Sequence, residues 1–162
     1  MKVTAQEEFG LRCLLQVAAA TGDEPVTLTE IGSREAMTVP HVAKVMALLR
    51  HAGLVESMRG RSGGYVLSRA ADRISVLDAL RALGERLFDA EYCERYHGPD
   101  DAACVHSGAC SIRPVWSQIE TIVSDVLRRT TIAELLRTEE GAMRASLDVR
   151  QRSSALLHIE PK

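Results

Sequence analysis

The sequence predicts a mainly α-helical fold carrying one small β-hairpin wing and a long dimerisation helix. Three observations point there. Aromatic residues make up only 4% of the 162 residues, against 46% hydrophobic overall, so the core rests on aliphatic side chains, which favours packed helices over a broad sheet. Apolar residues recur at three- and four-residue spacing in several separate segments. One glycine-rich turn separates two short β-prone runs.

The elements follow in chain order. Residues 4–20 set Phe9, Leu11, Leu14, Leu15 and Val17 on a helical pattern that Thr21 and Gly22 close. Cys13, among those leucines, is expected to be a small buried apolar residue. Thr27 opens a second short helix as N-cap, with Glu30 in capping-box position. Thr38 caps a third, with Pro40 in the first turn, where a missing N–H does no harm. Val42, Val45, Met46, Leu48 and Leu49 form its apolar face, while His41, Lys44 and Arg50 point outward. Residues 54–58 and 65–68 flank Arg59, Gly60, Arg61, Ser62, Gly63 and Gly64 and form the hairpin. Residues 75–83 make a fourth helix. Residues 84–110 lose periodicity and hold three of the four cysteines. A long stripe then runs through Ile112, Val115, Trp116, Ile119, Ile122, Val123, Val126 and Leu127, over about four turns. Residues 131–136 add a last helical turn or two.

This pattern divides the chain into a DNA-binding unit (1–84), a cysteine loop (85–111), a dimerisation helix with a short follower (112–137) and a C-terminal tail (138–162) expected to be mobile. No apolar run reaches the length of a membrane span. Glu7 and Glu8 interrupt what a secretory signal would continue as an apolar stretch. The expected location is the cytoplasm, where four cysteines favour metal or redox chemistry over disulfides.

The net charge of −2 conceals a polarised distribution. Between Arg34 and Arg69 six basic residues face two acids, whereas between Glu85 and Asp101 six acids face two arginines. One basic region in a near-neutral chain fits local contact with phosphates. Two short helices joined by a tight turn and followed by a glycine-tipped hairpin describe a winged helix-turn-helix, and its expected partner is double-stranded DNA. The third helix must present polar side chains from its N-terminal end to the major groove, and Thr38, His41 and Lys44 stand there. The wing needs cations and close backbone approach, which Arg59, Arg61, Ser62 and Gly63 provide. No Cys-x-x-Cys, His-Glu-x-x-His or glycine-rich nucleotide loop occurs, so enzyme activity is not expected.

Cys93, Cys104 and Cys110, separated by ten and five residues, suit an iron–sulfur cluster or another soft metal. Zinc with a histidine fourth ligand and a plain thiol switch are the alternatives. The stripe at Ile112, Val115, Trp116, Ile119, Ile122, Val123 and Val126 is long for so small a DNA-binding unit, which points to pairing with a second copy on a pseudo-palindromic operator.

Over residues 1–137 the chain resembles the bacterial winged-helix regulators that include IscR, NsrR and RirA. The match is carried by Leu54 and Val55 with residues 59–67 in the wing, and by Thr38 to Leu49 at the recognition helix. The helix at 112–129 sits where that family builds its dimer interface. The resemblance implies a repressor that senses nitric oxide, redox state or iron through a cluster, 2Fe–2S or 4Fe–4S, on Cys93, Cys104 and Cys110. IscR-like members place a histidine three positions after the last cysteine, where this chain has Arg113, which cannot ligate. NsrR-like members use a carboxylate near the N-terminus of the other subunit, and Glu8 matches it. His97 and His106 are local alternatives. The family also has cysteine-free members, so a cluster-free repressor working through a thiol switch, zinc or a partner protein is the competing expectation.

Overall fold

A computed structural model of the chain describes residues 4–20, 24–60, 63–84, 104, 106 and 109–137. Its helices are α1 (Ala5–Ala18), α2 (Leu28–Arg34), α3 (Val39–His51), α4 (Val76–Leu83), α5 (Arg113–Arg129) and α6 (Ile132–Leu135). The strands are β1 (Val55–Met58) and β2 (Gly64–Leu67), and a 3-10 turn (Ala71–Arg73) precedes α4. The arrangement is the mainly helical, single-hairpin fold expected.

Reciprocal capping fixes where most of these helices begin. Thr4, Thr27, Ser75 and Thr131 each accept a hydrogen bond from the amide three residues on, while Glu7, Glu30, Asp78 and Glu134 reach back to the cap. Such a cap contributes about 1 kcal/mol. Helix α3 starts differently. Thr38 occupies the N-cap position with extended backbone, but its side chain makes no capping hydrogen bond, and Pro40 supplies the preset φ of the first turn instead.

Helix α1 lies across α3 and α4, and α2 packs on α3. Leu14, Ile31, Val42, Val45, Met46, Leu49, Ile74, Leu83 and Ile132 fill the space between them and are fully buried. Each such side chain contributes roughly 1.5–3 kcal/mol on leaving water. Cys13 is also fully buried, as expected of a small apolar residue in that face.

The hairpin pairs Val55 with Leu67 and Met58 with Gly64 in antiparallel register. Its inner strand is anchored by a contact that no periodicity announces. Val26 and Tyr65 exchange both backbone hydrogen bonds, each 2.9 Å. A Cβ at Gly64 would stand 2.7 Å from the Val26 carbonyl oxygen, so only glycine allows this approach.

Helix α5 packs against α4. After it the chain returns to the core: the Val76 amide donates to the Thr130 carbonyl at 2.8 Å and the Ile132 amide to the Ile74 carbonyl at 2.9 Å. The other face of α5 is open, with Ile112 60%, Val115 52% and Trp116 49% exposed. Among the described residues no helix is long and apolar enough to cross a membrane.

Candidate nucleic-acid interface and thiol site

Helices α2 and α3 meet at a tight turn. Ala36 there has φ +53°, a left-handed conformation in a residue with a Cβ, and the Met37 amide donates to the Gly32 carbonyl at 2.8 Å. This turn sets α3 with Val42, Val45, Met46 and Leu49 inward. Thr38, Val39, Pro40, His41 and Lys44 are left exposed along its first turns. Thr38, His41 and Lys44 therefore share one solvent-facing end of the helix, as a major-groove reader requires. The His41 ring also meets Phe9 of α1 edge-on, at a centroid distance of 5.1 Å, which limits the orientations it samples.

At the wing, Arg59 is exposed and Gly60 adopts φ +131°, open to glycine almost alone. The Gly63 amide closes the turn on the Gly60 carbonyl at 3.1 Å. Arg61 and Ser62 lie outside the described residues. Arg69, counted in the basic region, makes contacts of its own. Its guanidinium donates to the carbonyls of Arg73 and Gly53 and pairs with Asp78.

The thiol site is partly described. Cys93 and His97 fall outside the described residues, whereas Cys104 and Cys110 are half-buried free thiols. Cys110 stands at the head of α5, where its Sγ accepts the Arg113 amide at 3.3 Å. That bond, then one from the Ile112 amide and the Arg113 charge, lower its pKa below the ordinary thiol value. Cys13 is the opposite case: burial pushes its thiol up to about 11. His106 is exposed. Among the described residues no group of three or more His, Cys, Asp or Glu side chains is gathered to hold a metal.

Glu8 projects from α1, exposed, and forms an ion pair with Arg12 at 2.7 Å. Arg12 reaches on to Glu35 at 3.8 Å, and Gln16 also donates to Glu35. The family resemblance flagged Glu8, whereas nothing in the sequence flagged Arg12 or Glu35, because their pairing joins α1 to the far end of α2. Along α5, Ile112, Val115, Trp116 and Ile119 are exposed while Ile122, Val123 and Val126 are half-buried, so the stripe is continuous but graded.

Known proteins place this geometry. The Rrf2 family model, described as an iron-dependent transcriptional regulator, matches residues 3–138. The transcriptional regulator IscR of Erwinia tasmaniensis is 31% identical over 140 residues, 86% of this chain and 81% of that one. Among solved structures, IscR of T. potens superposes with a TM-score of 0.65 at 30% identity, covering 84% of this chain and 86% of its own. CymR, the global cysteine regulator of B. subtilis, superposes with a TM-score of 0.66 at 27% identity, covering 84% and 96% respectively.

Proposed function

The chain belongs to the Rrf2 family of DNA-binding transcriptional regulators, and from that membership we propose a homodimeric repressor whose hold on a pseudo-palindromic operator is set at the cysteine site beside α5. It is a regulator and not an enzyme. The observation that carries the sensing half is the Cys110 sulfur, held by backbone amides at the head of a helix whose outer face is apolar and open.

The donor chemistry fits an iron–sulfur cluster. Cys110 is biased toward the thiolate that such a group needs, and Cys104 precedes it as a second accessible thiol. Cys93, Cys104 and Cys110 would hold the cluster, 2Fe–2S or 4Fe–4S, with Glu8 of the partner subunit as the fourth ligand. When bound, it supplies reactivity toward nitric oxide, oxidant or iron loss.

The remaining roles belong to the chain. Ile112, Val115, Trp116, Ile119, Ile122, Val123 and Val126 pair α5 with its copy. The two α3 helices then face successive major grooves about 34 Å apart. Thr38, His41 and Lys44 address the groove, while Arg59, Arg61, Ser62 and Gly63 lay the wing on the backbone. Helix α4 contacts α1, α3 and α5, so a shift of α5 reaches the reading helix through packed side chains. A coupling of about 1–3 kcal/mol, five- to 150-fold in affinity, is enough for regulation.

The test is operator binding by the full-length protein under anaerobic conditions. Cys93→Ala, Cys104→Ala and Cys110→Ala should each change the affinity while leaving the fold intact; three variants that bind as the parent does refute the sensing role. A second reading, a thiol switch without a cluster, is favoured by the lowered Cys110 pKa and by the likeness to a cysteine regulator. It predicts a colourless protein whose DNA affinity responds to peroxide and recovers with a thiol reductant.

A further inference from the structure

The guanidinium of Arg69 is tied to three separate elements. Its Nε donates to the Arg73 carbonyl at 3.0 Å, at the end of the 3-10 turn. Its Nη1 donates to the Gly53 carbonyl at 3.3 Å, in the turn that ends α3. Its Nη2 pairs with Asp78 Oδ2 at 3.3 Å, in the first turn of α4. The neighbouring Ser68 adds two bonds at the same place, its hydroxyl to the Gly53 carbonyl and its amide to the Leu54 carbonyl at 3.1 Å.

These contacts gather at the root of the wing. Strand β2 ends at Leu67, so residues 68 and 69 are the point where the hairpin rejoins the body. Gly53, with φ +69°, is where α3 gives way to β1. A two-stranded ribbon is a weak element by itself, and its angle to α3 depends on the Val26–Tyr65 pairing along its inner strand and on what holds its two roots. Asp78 links that root to α4, because its Oδ2 also accepts the Ser75 amide at 3.1 Å in the α4 cap.

We infer that Arg69, with Asp78, is a positioning residue for DNA binding: it locks the wing to the end of the recognition helix and to α4, and acts on affinity through the wing's angle, not by contacting a phosphate. The inference rests on the winged-helix reading of DNA contact. Both side chains are about two-fifths exposed, so the ion pair adds little to global stability. Where two wing angles differ little in free energy, a weak contact is enough to decide the population. Because α4 also packs on α5, the same joint carries any displacement of the long helix to the wing.

Charge and position predict opposite signs at Asp78, which makes the test decisive. The probe is the duplex that full-length parent protein enriches from a random-sequence DNA pool, with affinity measured over a salt series. Asp78→Asn keeps an amide oxygen for the Ser75 cap but removes the ion pair. It also removes a negative charge, so a purely electrostatic account predicts tighter binding. The positioning account predicts binding roughly two- to fivefold weaker, at least that loss in Arg69→Gln, which also removes the two carbonyl bonds, and no loss in the double variant beyond that of Arg69→Gln.

Arg69→Gln should also leave the salt slope as in the parent, whereas a lost phosphate contact lowers it by about 0.9. Thermal melts confirm that each variant is folded; if Arg69→Gln melts early, Asp78→Asn alone decides. Unchanged or tighter binding by Asp78→Asn overturns the role, as does a slope reduced in Arg69→Gln alone. A parent protein that enriches no duplex refutes the DNA-binding reading and this role with it; a parent that does, with Asp78→Asn its equal, refutes only Arg69.

Discussion

In the proposed dimer, Trp116→Ala should weaken the pairing of the two subunits more than the fold of either one. Trp116 is 49% exposed on the outer face of α5, beside Val115 at 52% and Ile112 at 60%. A tryptophan side chain buries at most about 250 Å², so covering its exposed half removes about 120 Å² from water. At about 25 cal/mol per Å² that is about 3 kcal/mol per subunit, and two-fold symmetry doubles it to about 6 kcal/mol. Ordering costs at the interface reduce the return, and half of it still weakens the dimer about a hundredfold. By the same rule the covered half of the ring contributes up to about 3 kcal/mol within the subunit, so the fold of the variant is checked beside its association. Sedimentation velocity over a concentration series reads the association, and circular dichroism reads the fold. A dimer as tight in Trp116→Ala as in the parent, or a parent that never associates, refutes the pairing of α5 with its copy.

Three other predictions use local features. Ala36→Gly should raise stability by about 0.5–1 kcal/mol in urea unfolding, because a left-handed residue with a Cβ costs roughly 1–2 kcal/mol while glycine's chain entropy returns only about half of that; a loss of stability contradicts the strain assigned to the α2–α3 turn. The Cys13 thiol is raised to about 11 in the folded state, above its unfolded value near 9, so its contribution is whole below pH 9 and fades as pH climbs toward 11. Alkaline denaturation should therefore be shallower in Cys13→Ala, which also loses about 1 kcal/mol at neutral pH to the vacated core space; equal pH slopes contradict the assignment. Thr38→Ala, His41→Ala and Lys44→Ala should each relax preference at one base pair by about 1–3 kcal/mol; a uniform loss across duplexes in all three removes the groove-reading role of the α3 N-terminus.

Local signals in the sequence predicted local structure well. Thr27 with Glu30 announced the start of α2, and the reciprocal bonds are present. Ser75 marked the start of α4, and the glycines after Arg59 marked the hairpin. Each depends on residues within four or five positions of one another, where spacing and chemistry are visible together. Thr38 was legible as a boundary but not in its bonding, since Pro40 fixes the turn without help from its hydroxyl.

Long-range features left no trace of that kind. The Val26–Tyr65 pairing, the return of Ile132 to the core and the grip of Arg69 on Gly53 and Asp78 join residues separated by many positions. Arg69 counted as one more positive charge in the sequence, and only its surroundings turn it into a strut. The cysteine pattern was legible as donor chemistry. The bias of Cys110 toward thiolate depends on amides at the head of α5 that become visible only once that helix is placed.

On the proposed function, Cys93, Cys104 and Cys110 together hold an iron–sulfur cluster that governs DNA binding. Iron and acid-labile sulfide counts with visible absorption, on full-length protein purified without air, test it most directly. A resident cluster gives a coloured parent carrying iron and sulfide in comparable amounts, and a Cys110→Ala variant stripped of both. A folded parent that emerges colourless, with neither iron nor sulfide even after anaerobic reconstitution, contradicts it.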